Sequence, residues 1–83
     1  MAHNILGMTE EEWAFLKGLL DEHVASCPEH ANMVSSILRK EIREEDCDGI
    51  DLCWLYDDET KLVEGLLGGV GDMVNGIREK MVT

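Results

Sequence analysis

Positive charge is what this chain lacks most: seven lysines and arginines stand against eighteen acids in 83 residues, a formal net charge of −11. Binding to nucleic-acid phosphates or to an anionic membrane needs a positive field that displaces counterions, so both are disfavoured as direct partners. No apolar run approaches the roughly 20 residues of a membrane span, and the opening MAHNILGMTEEEW has neither a basic start nor an apolar stretch with a cleavage site. A cytoplasmic, soluble protein is expected. The three cysteines, Cys27, Cys47 and Cys53, are too few and odd in number for a disulfide framework. There is a single proline, Pro28, and only four aromatic residues: Trp13, Phe15, Trp54 and Tyr56. A chain this short makes one domain, residues 1–83, and buries only about 60–65% of the surface its unfolded form exposes.

What is present is unevenly spread. Residues 1–43 carry a net −3, residues 44–59 a net −8 with no basic residue, and residues 60–83 are neutral. That middle window, EEDCDGIDLCWLYDDE, also holds Trp54 and the only tyrosine, Tyr56.

The clearest element is a helix over about 10–25. Thr9 and Glu12 have capping-box spacing, Met8 and Trp13 that of a hydrophobic staple, and Trp13, Leu16, Leu20 and Val24 form an apolar stripe flanked by Phe15 and Leu19. Ser26 and Glu29 repeat the box, with Pro28 in a first turn that does not need its N–H, which predicts a second helix over 28–44. Its buried positions are Val34, Ile37, Leu38 and Ile42, with Met33 beside them, while Arg39, Lys40 and Arg43 suit the negative end of its dipole. Ile50, Leu52, Trp54 and Tyr56 alternate with Asp51, Cys53, Leu55 and Asp57 at a strand period. Nothing else reads as a strand, so 50–56 is expected as a short helical or extended connector, with pairing across a dimer as the fallback. A last helix over 58–81 is capped by Asp57 or Asp58 and weakened by five glycines, with a break near 68–71 as the alternative. Its apolar face comprises Leu62, Val63, Leu66, Val70, Met73, Val74, Ile77 and Met81. The fold class expected is all-α, a small bundle of three to four helices. On a helical wheel Gly65, Gly69 and Gly76 share one edge, a smooth strip for packing against a second copy.

Motif by motif, chemistry finds little footing. If Gly49 is the sixth position of a calcium loop, Glu44, Asp46 and Asp48 are tolerable ligands, but Leu55 falls where a bidentate glutamate is required. LVEGLLGGVGD lacks the Gly-Lys-Ser/Thr ending of a phosphate loop. His23, Cys27, His30 and Cys47 are the right residue types for zinc, with Cys53 as a substitute for Cys47. No tight paired spacing is present, however, and Pro28 interrupts helical geometry between Cys27 and His30, so no metal and no cofactor is expected. A Cys27 nucleophile with His23 or His30 as base would need a pocket and a lowered thiolate pKa that so small and acidic a domain does not suggest. No enzyme activity is expected.

The remaining feature is the acidic window as a binding surface, formed by Glu44, Glu45, Asp46, Asp48, Asp51, Asp57, Asp58 and Glu59 around Trp54 and Tyr56. Aromatics among carboxylates act as desolvated anchors while the charge steers encounter with a basic partner. The layout resembles that of the colicin-type nuclease immunity proteins: Thr9-Glu10-Glu11-Glu12-Trp13 opening helix one, a second capped helix, then Asp51-Leu52 with Trp54 and Tyr56 before an acidic run and a last helix. That resemblance implies a small acidic four-helix inhibitor that meets its nuclease through an Asp and aromatics after helix two. The family's adjacent tyrosine pair is absent here, and helix two ends in basic residues. Phage proteins of the anti-restriction and anti-CRISPR kind, some of which mimic nucleic acid, face the same electrostatic problem. The expectation is a stoichiometric inhibitor of a basic-surfaced protein, such as a nuclease or nucleic-acid-binding complex. The alternatives are a homodimeric or larger structural adaptor packed through the glycine strip and a small zinc-stabilised domain.

Overall fold

The computed structural model describes residues 3–43 and 49–82. It corrects the all-α expectation: among the described residues four helices are joined by an antiparallel sheet of four strands. In chain order the elements are β1 (His3–Met8), α1 (Glu10–Ser26), a 3-10 turn (Pro28–His30), α2 (Ala31–Leu38), β2 (Glu41–Arg43), β3 (Ile50–Leu55), α3 (Asp57–Leu66), α4 (Asp72–Glu79) and β4 (Met81–Val82). The strand order is β2-β3-β1-β4. Residues 50–55 are thus a central strand whose neighbours belong to the same chain. The connector and the cross-dimer pairing are both replaced by this arrangement. Its partner β1 comes from the N-terminal segment, too short and mixed to read as a strand on its own.

Two compensating bulges set the register of β1 against β3. The partners are Met8 with Ile50, Ile5 with Leu52 and His3 with Leu55, so one extra residue lies on β1 near Gly7 and one on β3 near Trp54. Each bulge has a residue with positive φ, Gly7 at 78° and Trp54 at 66°. Each is also closed by a side chain: the Gly7 N–H donates to Asp51 Oδ1 at 2.8 Å, and the Trp54 N–H donates to Asn4 Oδ1 at 3.1 Å. At the entry to β3 the backbone of Gly49 lies against Gly7, and a Cβ on Gly49 would sit 2.8 Å from the Gly7 Cα.

α1 begins as the capping residues require. The Glu12 N–H donates to Thr9 Oγ1 and the Thr9 N–H to the Glu12 carboxylate. The second helix differs from its expected span of 28–44. Ser26 closes α1 instead of capping α2, and Pro28 opens a 3-10 turn that runs into α2. α2 ends at Leu38, and residues 41–43 turn away to pair with β3 along the sheet edge. The helix expected over 58–81 is divided at Leu67 to Gly71, the alternative of a break near 68–71, where the glycines give the helical backbone least support. Val70, expected on the apolar face, stands fully exposed in that connector.

One core unites these layers. Ile5, Met8, Ile50, Leu52 and Leu55 from the sheet pack with Trp13, Leu16 and Leu20 of α1, Val34 and Ile37 of α2, Val63 and Leu67 at α3, and Val74 and Ile77 of α4. The fourteen buried apolar side chains among the described residues, at about 1.5–3 kcal/mol each, are the main source of stability. No helix among the described residues is long and apolar enough to cross a membrane.

Candidate interaction face

The alternation Ile50, Leu52, Trp54, Tyr56 would place both aromatics on the core face with the two aliphatics. The bulge at Trp54 breaks that pattern. Leu55 takes the inward position and is fully buried, while Trp54 and Tyr56 are turned out with 72% and 70% of their surface exposed. An L-residue other than Asn, Asp or Gly in the left-handed region costs about 1–3 kcal/mol. Trp54 pays no part of that cost through core packing.

Lys40, in the turn between α2 and β2, organises the surroundings. Its ammonium donates to the Trp54 carbonyl at 3.0 Å, pairs with the Glu59 carboxylate and lies 4.2 Å from the centroid of the Tyr56 ring. The backbone carrying Trp54 and the ring of Tyr56 are therefore both tied to the turn that follows α2. In the sequence Lys40 suits only the negative end of a helix dipole; its reach across the chain has no local signature. Below Tyr56, Asp57 begins α3 and its carboxylate meets His3 Nε2 at 2.7 Å. The hydrogen bond from His3 holds the Asp57 carboxyl below the usual aspartate range.

The acidic residues of the window thus have different fates. Asp57 and Asp58 are exposed beside the aromatics. Asp51 is half-buried and occupied by the Gly7 bulge. Glu59 is buried at 3% exposure, accepting from the Tyr56 N–H at 2.8 Å as well as from Lys40, and is a structural residue instead of a contact residue. Burial pushes its carboxyl up, but the bonds from Lys40, the Tyr56 backbone and Ser36 prevail and the pKa falls below the ordinary value. Glu44, Glu45, Asp46, Cys47 and Asp48 lie outside the described residues.

The glycine strip is not assembled. Gly65 lies on α3, Gly69 in the connector and Gly76 on α4. Gly76 faces α1, where a Cβ would come within 2.4 Å of the Glu12 carboxylate, while a Cβ at Gly65 or Gly69 meets nothing within 4 Å. His23, Cys27 and His30, by contrast, are brought together despite Pro28, with one donor atom from each lying within 4.8 Å of the others.

Against family models, curated proteins and solved structures, the chain matches none. The all-helical fold implied by the resemblance to nuclease immunity proteins is not the fold observed, because a four-stranded sheet stands at its centre.

Proposed function

We propose that the protein is a non-catalytic inhibitor that binds and blocks a partner with a basic, nucleic-acid-binding surface, of the nuclease-immunity, anti-restriction or anti-CRISPR kind. The observation that carries the reading is Trp54: a large aromatic held in a strained left-handed backbone and exposed to solvent, where glycine would relieve the strain. Strain retained at an exposed aromatic is accounted for by a role outside the fold, and tryptophan is among the residues most often central to protein interfaces. Tyr56, steadied by Lys40, is a second anchor, and Asp57 and Asp58 supply negative charge beside it. The excess negative charge of the molecule speeds encounter with a basic surface and repels acidic competitors.

The test is recovery of partners from the native host's lysate on immobilised wild type, Trp54→Ala and Asp57→Lys/Asp58→Lys proteins. A basic nucleic-acid-binding protein should be retained by wild type, released by salt, reduced about tenfold or more by loss of the Trp54 ring, and inhibited in its own activity at one-to-one ratio. Recovery that is indifferent to both changes, or a bound partner whose activity is unaffected, would sink the reading.

A further inference from the structure

We infer that His23, Cys27 and His30 form a binding site for one zinc ion, with three protein ligands and a fourth position open to water. None of the three belongs to the Trp54 and Tyr56 face, so this inference stands independently of the proposed inhibition.

Backbone hydrogen bonds bring the ligands together. Cys27 ends α1 with its N–H donating to the His23 carbonyl at 2.7 Å, and the His30 N–H donates to the Cys27 carbonyl at 2.9 Å. The first bond is an α-helical step of four residues, the second a 3-10 step of three. Pro28 therefore does not separate Cys27 from His30. By opening the 3-10 turn with a position that needs no N–H, it folds His30 back over the end of α1. Three donors spaced four and three apart then stand over consecutive turns on one side.

The side chains converge further. His23 Nε2 lies 2.8 Å from His30 Nδ1, with ring centroids 5.0 Å apart and planes inclined by 16°. These values describe two nearly parallel imidazoles whose facing nitrogens share one hydrogen. A cation that binds both nitrogens replaces that hydrogen once the rings turn toward it. Tetrahedral zinc, with bonds of about 2.0–2.1 Å to nitrogen and 2.3 Å to sulfur, needs donor separations of roughly 3.3–3.6 Å. The imidazole nitrogens have to separate by about half an ångström and turn from each other toward a shared ion, and Cys27 Sγ has to close in from within 4.8 Å; rotation about the side-chain bonds of these half-buried residues is the movement required. The donor set of two imidazoles and one thiol selects zinc over calcium or magnesium, which take oxygen ligands. All three residues are half-buried, which leaves an entry path, and the chain's −11 charge favours uptake of a divalent cation. Bound zinc would join the end of α1 to the start of α2 and stabilise the folded chain by mass action.

The decisive measurement uses the whole protein, stripped of metal and titrated with Co²⁺ and then Zn²⁺. One Co²⁺ per chain should bind with the intense visible bands of a tetrahedral site and a near-ultraviolet sulfur-to-cobalt band, both erased by one equivalent of Zn²⁺. The sulfur band should persist in Cys47→Ser/Cys53→Ser protein, where Cys27 is the sole thiol. It should vanish in Cys27→Ser, with Zn²⁺ affinity falling about 100-fold, while far-UV circular dichroism reports that the helices are intact. Absence of tetrahedral cobalt bands in wild type, loss of the sulfur band in the Cys27-only protein, or undiminished Zn²⁺ uptake by a folded Cys27→Ser/His30→Gln variant would each overturn the assignment. Should Cys27→Ser fail to fold, the spectrum of the folded Cys27-only protein decides the matter alone.

Discussion

Trp54 separates binding from folding in one side chain. Replacing it by glycine removes an exposed ring and releases left-handed strain, so Trp54→Gly is expected to keep or gain stability, by about 1 kcal/mol, in urea denaturation while losing the partner. A loss of stability would mean that the ring supports the fold. The glycines divide by their surroundings in the same way. Gly49→Ala forces a Cβ into the Gly7 backbone, which has no rotamer with which to yield, and should cost about 2–3 kcal/mol. Gly65→Ala meets open space inside a helix and should stabilise by about 0.5–1 kcal/mol. The alternation over 50–56 was visible in the sequence, but the outward turn of Trp54 was not. It depends on a bulge whose closing acceptor, Asn4, lies fifty residues away.

α1 and α3 start with the same device. The glutamate at the third helical position, Glu12 or Glu59, accepts from the backbone N–H of its own cap residue and pairs with a distant lysine, Lys80 or Lys40. In Glu12, as in Glu59, burial raises the pKa, but the lysine bond and the capping N–H outweigh it and the net shift is downward. A carboxylate with a depressed folded pKa adds stability that is fully present above its unfolded value and is lost as pH falls through the folded one. Stability should therefore be flat above about pH 5 and decline below about pH 4, as followed by urea midpoints across pH. Lys40→Met leaves Glu59 buried without its counter-charge, at a cost of about 3 kcal/mol at pH 7. With its main partner removed Glu59 protonates more readily, so the gap between variant and wild type should narrow in acid. An equal gap at pH 4 and pH 7 would show that the ion pair is not the source. The Thr9 and Glu12 half of this device was legible because its partners are three residues apart; the lysine half spans 68 residues in one case and 19 in the other.

For the molecule as a whole, charge and topology carry separate consequences. Asp57→Lys/Asp58→Lys raises the formal charge of −11 by four at the face proposed to meet the partner, and should slow association most at low salt and flatten its salt dependence, as read by stopped-flow mixing. An unchanged association rate at low ionic strength would remove electrostatic steering. Local physics was enough for the start and apolar stripe of α1, for the weakness of the chain at 68–71 and for the concentration of negative charge, since each rests on residues within one or two turns. It was also enough to name His23, Cys27 and His30, though not to bring them together, because that required knowing that Pro28 opens a 3-10 turn. The mixed fold was decided by pairing at long range. A strand has no hydrogen-bond partner within itself, so β3 became a strand through β1 and β2, of which β1 looks too short and β2 reads as the end of a helix. Likewise, whether a carboxylate belongs to solvent, as Asp58 does, or to the core, as Glu59 does, follows from what folds over it and not from its neighbours in the chain.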